Sequence, residues 1–178
     1  KHSTMSRAEP IERGLTIPLQ RYLGIKALPY CEEPDRRFCW DLHVIPLRGR
    51  SSLLAVHCHS RYTFVLYDLC PSDWARLPDV FREGLERSLS AAGFPPEAAN
   101  LLCGGHQPQF TKTHGRREVA FLNRAWDDVT AAELALDEST QSQPLLNQVV
   151  NAKSSRCAGF DGLGMAAERL SAVLQELS

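Results

Sequence analysis

Two histidines, His57 and His59, stand one residue apart in a segment that has the composition of a β-strand. Alternate side chains of a strand share a face, so both imidazoles would point the same way. Such a pair could bind zinc or iron if a third ligand came from elsewhere in the chain. The candidate third ligands are His43, Cys103 and His106. Hydrogen-bonded histidines on the polar face of a strand explain the same spacing without a metal.

A second group of polar residues, between residues 111 and 124, carries basic side chains, hydroxyls and a glycine. Arginine offers paired donors and lysine a point charge, so this group could bind the phosphate oxygens of RNA, DNA or a small molecule. The candidate residues are Lys112, Thr113, Arg116, Arg117 and Asn123, joined by Arg61 from the corner after His59 if the two hairpins lie side by side. A solvated hairpin that keeps a sheet edge soluble is the alternative. The formal net charge of -1 also counts against a general nucleic-acid binder.

Motifs that identify common enzyme classes are absent from the sequence. Neither the phosphate-binding pattern G-x-x-x-x-G-K-[ST] nor the nucleophile elbow G-x-S-x-G occurs. The adjacent acids Asp127 and Asp128 are typical of the first turn of a helix, and a divalent metal is their alternative use. The sequence therefore assigns no catalytic residue.

The composition is that of a globular protein. The 178 residues are 43% hydrophobic, and no apolar run approaches the length of a transmembrane helix. The first ten residues lack an apolar stretch of signal-peptide length, and the six cysteines form no C-x-x-C pair. We therefore expect a cytoplasmic protein with reduced thiols and no membrane association.

Hydrophobic periodicity predicts the elements that position these residues. Residues 40–47, 52–59 and 62–69 read as three strands, and residues 108–112 and 118–123 suit two more. Apolar stripes before Gly93 and over residues 163–177 predict two helices. Because strands and helices are grouped, we predict an α+β fold, with an antiparallel sheet and helices packed on one face. Residues 1–178 would form a single domain, with residues 1–40 a proline-punctuated N-terminal arm and residues 138–160 a long polar connection.

A series of short motifs runs from residue 42 to residue 128. A strand ends in the His-Ser-Arg corner at residues 59–61, and an amphipathic helix follows. Lys112 and Thr113, with Arg116 or Arg117, then lead to a Phe-Leu-Asn segment. This order resembles a bacterial family described only as a domain of unknown function. The resemblance implies a bacterial cytoplasmic setting, and it singles out the polar residues Arg61, Lys112, Thr113, Arg116 and Asn123.

Three functions compete at this point. A non-catalytic interaction or regulatory protein, such as a member of a toxin–antitoxin or phage-defence system, fits the missing catalytic motif and implies a protein partner without a cofactor. A nucleic-acid-binding protein or small ribonuclease would use the basic hairpin to bind RNA or DNA. A metal-dependent enzyme would use His57 and His59 with zinc or iron. The first of these is the function that the sequence favours.

Overall fold

A computed structural model describes residues 12–103, 109–157 and 160–178. The strands are β1 (Glu12–Leu15), β2 (Cys39–Leu47), β3 (Arg50–His57), β4 (Thr63–Leu66), β5 (Gln109–Lys112), β6 (Ser154–Cys157) and β7 (Phe160–Met165). The helices are α1 (Ile17–Leu23), α2 (Pro71–Ala75), α3 (Leu77–Ala91), α4 (Ala98–Cys103), α5 (Arg116–Ala131), α6 (Pro144–Asn151) and α7 (Ala166–Leu177). Short 3-10 turns occur at Arg36–Phe38 and Glu133–Ala135.

A mixed five-stranded sheet organises these elements in the order β4-β3-β2-β1-β5. Strands β2, β3 and β4 pair antiparallel, as their sequence order and short connections predict. Strand β1 lies between β2 and β5 and pairs parallel with both. Strands β6 and β7 form a separate antiparallel hairpin. The α+β fold predicted from the sequence is confirmed, and its sheet contains both kinds of pairing.

Helices cover both faces of the sheet. Alternate residues of β3 separate into two apolar clusters, with Leu53 in one and Leu54 in the other, as the two-residue period of a strand requires. The first cluster includes residues of α3, α4 and α7, and the second includes residues of α5 and α6. The sequence predicted helices on one face only, so the helical layer on the second face is the main difference between the predicted and the observed fold.

The helical layer on the second face was not predicted because residues 118–123, expected to form a strand, belong to α5. Leu122, Ala125 and Val129 are buried in the second cluster, and their spacing of three and four residues is that of one helix face. Gly115 precedes the helix with a φ of 119°, which ends the extended chain after β5. A six-residue window was too short to separate this helical spacing from strand alternation.

The two segments predicted as an arm and a connection contain regular structure. The arm supplies β1 and α1, and the Thr16 side chain accepts a hydrogen bond from the Leu19 N–H at the start of α1. The segment 138–160 supplies α6 and β6. Asn147 and Asn151 of α6 bond the free edge of the sheet, because their side-chain oxygens accept the N–H groups of Val65 and Thr63. Within the described residues, no helix is long and apolar enough to cross a membrane.

Candidate metal site

The face of the sheet that α5 covers is apolar at one end and polar at the other. On β2, Ile45 and Leu47 belong to the apolar cluster under α5 and α6, whereas Cys39, Asp41 and His43 precede them at two-residue intervals. All three of these polar or thiol-bearing residues are buried. Buried polar groups must find partners inside the protein, so this end of the face has a specific hydrogen-bonding arrangement.

His114 lies at the centre of this polar region, in the turn between β5 and α5. Its Nδ1 is 2.7 Å from Asp41 Oδ1, and its Nε2 is 3.2 Å from Glu12 Oε1. The three side chains are at most 2% exposed. The cluster therefore joins β1, β2 and the β5–α5 turn away from bulk water.

The two contacts of His114 limit where protons or a bound ion can lie in the cluster. A neutral imidazole carries one N–H and one lone pair, whereas both of its ring nitrogens here face carboxylate oxygens. With a single ring proton, one of the two contacts would bring two electron-pair acceptors together. A second proton on the ring, a proton on one of the two carboxyl groups or a bound cation removes this conflict.

Glycine at position 14 makes the Asp41 contact sterically possible. Gly14 is the register partner of Asp41 on the neighbouring strand. A Cβ atom at this position would overlap Asp41 Oδ1, and it would lie 2.8 Å from Thr113 Cα. The absent side chain therefore leaves the space through which the Asp41 carboxylate reaches His114.

Two thiols border the same cluster. Burial raises the pKa of Cys39 to about 12, although the nearby Arg36 opposes this effect. Burial also raises the pKa of Cys58 well above its usual value. Both thiols are neutral in the absence of a metal, and a metal ion would have to displace the thiol proton before it could bind sulfur.

Two groups of three residues have ligand atoms close enough to hold one ion within the described ranges. They are Glu12, Cys39 and His114, and Asp41, Cys58 and His114. In each group the ligand atoms lie within 4.8 Å of one another. His114 is common to both, and its two ring nitrogens face the two different carboxylates.

The histidines singled out by the sequence have other partners. His57 Nδ1 lies 2.7 Å from Ser60 Oγ, and its Nε2 lies 2.7 Å from the Arg37 carbonyl. Burial lowers the pKa of His57 to about 4, so the ring is neutral near pH 7. His59 packs its ring edge to face against Phe160. Both ring nitrogens of His57 are thus engaged by the protein at the corner after β3.

The third ligands considered for this pair lie in different places. His43 Nδ1 is 2.6 Å from Thr16 Oγ1, and Cys103 is buried in the first apolar cluster. His106 lies outside the described residues. Among the described residues, neither His57 nor His59 belongs to a group with metal-ligand spacing.

The predicted phosphate-binding residues are spread over two regions. Lys112 lies over the Tyr30 ring at 4.0 Å, and Thr113 follows it at the end of β5. Arg116, Arg117 and Asn123 are exposed on α5. Arg61, at the corner after β3, contacts the same helix farther along, where its Nη2 is 3.7 Å from Asp128 Oδ2. The structure therefore places Arg61 against α5 between Phe121 and Asp128, and outside the β5–α5 turn itself.

Local sequence patterns gave little indication of the His114 cluster. Glu12, Asp41 and Glu118 look like surface acids, yet each is nearly fully buried. The alternation of Cys39, Asp41 and His43 with apolar residues was visible, but it is equally typical of a strand whose polar face meets water. Only the parallel pairing of β1 with β2 and β5 brings these residues together.

One comparison with known proteins gives a match. A family model described as a domain of unknown function, DUF6933, matches residues 14–160. The search of curated proteins gives no match. The predicted resemblance to a domain of unknown function is confirmed, and the match runs from the second half of β1 through β6, which includes the motifs between residues 42 and 128. The chain therefore belongs to the DUF6933 family.

Proposed function

We propose that this protein binds one divalent transition-metal ion of the zinc type through Glu12, Cys39 and His114. The observation that carries the proposal is the buried imidazole of His114, which faces a carboxylate at each ring nitrogen. A metal ion at Nε2 would replace a repulsive contact between acceptors with two coordinate bonds.

The donor set has the chemistry that zinc prefers. Zinc binds imidazole nitrogen, thiolate sulfur and carboxylate oxygen at about 2.0–2.3 Å in tetrahedral geometry, so these three side chains would leave the fourth coordination position to a water molecule. Glu12 and Cys39 are register partners on β1 and β2, so one ion can reach both side chains. Glu12 Oε2 accepts the Glu32 N–H at 2.6 Å, which orients the carboxylate while Oε1 faces His114.

Asp41 supports this ligand set in preference to the alternative one. Its 2.7 Å contact with His114 Nδ1 is the shorter of the two carboxylate contacts. When Nδ1–H donates to Asp41, the Nε2 lone pair points to Glu12 and Cys39. A carboxylate that fixes the tautomer of a ligating histidine is a recurring feature of zinc sites. The alternative set would use Nδ1 with Asp41 and Cys58.

The burial of the ligands favours a structural role for the ion. Within the described ranges, Glu12, Cys39 and His114 are each at most 3% exposed, so a substrate would have little direct access to the metal. The ion would instead join β1, β2 and the turn before α5. We therefore infer a non-catalytic domain, and its protein partner stays a prediction from the sequence. Its setting in a toxin–antitoxin or phage-defence system stays a prediction.

Cobalt substitution tests the metal site and distinguishes the two ligand sets. Cobalt(II) added to chelator-treated protein should give the visible bands of a tetrahedral site and a sulfur-to-cobalt charge-transfer band. Cys39→Ser should abolish the charge-transfer band, whereas Cys58→Ser, the matched control, should retain it. Loss of the band only in Cys58→Ser would assign the metal to the alternative set. Unchanged spectra of free cobalt in the wild-type protein would refute metal binding.

A further inference from the structure

A groove of about 390 Å³ lies between the second half of α5 and the β6–β7 hairpin, apart from the His114 cluster. Four basic side chains line it, and two carboxylates lie among them. The basic residues are Arg61, Arg124, Lys153 and Arg156, and the acidic residues are Asp127 and Asp128. The lining therefore carries an excess of two positive charges.

Arg61 is the buried member of this group. Its side chain is 7% exposed, and its guanidinium lies 5.4 Å from the centre of the Phe121 ring. The backbone holds it at a φ of 66°, which is rare for a residue with a side chain. The Arg61 N–H donates to the His57 carbonyl at 2.7 Å, so the strained corner is fixed.

The guanidinium of Arg61 has few close partners for its five donors. Among the described residues, Nη1 donates to the Arg156 carbonyl at 3.4 Å, and Nη2 lies 3.7 Å from Asp128 Oδ2. Both distances are longer than those of a typical charge-assisted hydrogen bond, about 2.7–2.9 Å. Asp128 is also shared with Lys153 Nζ at 3.5 Å. A buried cation with long contacts at the wall of a groove is well placed to receive an external anion.

The size and charge of the groove indicate which anion fits. A volume near 390 Å³ is within the range of sites for small organic molecules, about 300–1,000 Å³. Two positive charges balance one dianionic phosphate monoester. Asp127 and Asp128 would repel the successive charges of a nucleic-acid backbone. Leu163, 69% exposed, supplies an apolar surface at the same groove.

We propose that this groove binds the phosphate group of a small phosphomonoester. Arg61 donates to the phosphate from the floor of the groove, and Arg124 and Arg156 contact it from the exposed rim. The organic part of the ligand lies against Leu163. The groove residues and the proposed metal ligands are different, and Arg61 also borders a small cavity that Asp41 and Cys58 line.

Nuclear magnetic resonance titrations of the full chain without added metal test this proposal. The probes are inorganic phosphate, adenosine 5′-monophosphate, adenosine and a short single-stranded RNA. Inorganic phosphate and adenosine 5′-monophosphate should both shift the backbone amide resonances of residues 124–128 and 153–156, whereas adenosine should not. The double variant Arg124→Gln with Arg156→Gln should bind the monophosphate about tenfold or more weakly. Both positions are exposed, so the variant should remain folded.

Arg87→Gln is the matched control, because Arg87 is an exposed arginine on α3 that does not line the groove. It should bind the monophosphate with wild-type affinity. The proposal is overturned if neither phosphate probe shifts the groove amides, or if the double variant binds like the control. Equal binding of adenosine and its monophosphate also overturns it. Much tighter binding of RNA than of the monophosphate would overturn the proposal in favour of a site for a nucleic-acid backbone.

Discussion

A methyl group added at Gly14 should disrupt the His114 cluster without removing any of its polar atoms. In Gly14→Ala the new Cβ would overlap Asp41 Oδ1 and lie 2.8 Å from Thr113 Cα, a backbone atom that cannot rotate away. The Asp41 carboxylate must then move, and its 2.7 Å contact with His114 must lengthen. Overpacking a buried site costs about 1–3 kcal/mol, and weakening a buried charged hydrogen bond costs a similar amount.

We therefore expect Gly14→Ala to lower the free energy of unfolding by about 3 kcal/mol, a large part of the usual 5–15 kcal/mol for a domain. Urea denaturation followed by circular dichroism measures this difference. Gly164→Ala is the matched control, because its nearest added contact is 3.4 Å, to Arg169 Nη1. The control should change stability by less than about 1 kcal/mol. The reasoning fails if the two variants are equally stable, because Asp41 would then not depend on the space at Gly14.

Two further predictions concern the sheet edge and the corner after β3. Asn151→Ala removes an amide that accepts from the Thr63 N–H at 2.8 Å and donates to the Thr63 carbonyl at 2.7 Å. It should cost about 2–3 kcal/mol in urea denaturation, whereas exposed Asn123→Ala should cost under about 0.5 kcal/mol. Equal effects would mean that α6 does not protect the edge of β4. His57 has its pKa lowered by burial from 6.5 to about 4, so the unfolded chain takes up its proton at a higher pH than the fold does. The contribution of His57 to the free energy of unfolding should therefore be constant above about pH 6.5. It should fall by about 3 kcal/mol in total as the pH decreases from there to about pH 4. His57→Gln in chelator-treated protein should show a shallower fall, and a fall identical to that of the wild type would contradict a buried neutral ring.

The elements that the sequence predicted have strong local patterns. In β3 the residues 53–56 are all apolar, in β4 every residue is apolar or β-branched, and a short connection joins the two strands, so antiparallel pairing follows from sequence order. In α3, Leu77, Phe81, Leu85 and Leu89 recur every four residues and are all buried. These patterns depend on neighbours in the chain, so they could be interpreted without the fold.

The elements that the sequence missed depend on distant contacts. Strand β1 contains only Glu12, Arg13, Gly14 and Leu15, and its burial requires partners from other elements. Arg13, for example, stacks its guanidinium 4.1 Å from the centre of the Phe81 ring. A charged four-residue segment has no periodicity that distinguishes a central strand from a loop.

The candidate sites were predictable only in part, for the same reason. Arg61 was singled out from the sequence beside a predicted basic hairpin, whereas in the structure it lines a groove with Lys153 and Arg156 from the β6–β7 region. The His57 and His59 pair had a recognisable spacing, whereas the His114 cluster draws its members from positions up to 102 residues apart. Spacing motifs detect ligands on one element, and parallel strand pairing gathers ligands that no local motif connects.

Calorimetric titration of chelator-treated protein with zinc tests the central claim most directly. The wild-type protein should bind one equivalent of zinc, and its unfolding midpoint should rise with zinc concentration, by the equivalent of about 2.7 kcal/mol at a hundredfold excess over the dissociation constant. His114→Gln, shown to be folded by circular dichroism, should lose both effects. Absence of zinc binding by the wild-type protein, or equal binding by His114→Gln, would contradict a metal site at His114 and leave the cluster as a buried hydrogen-bonded group without a metal.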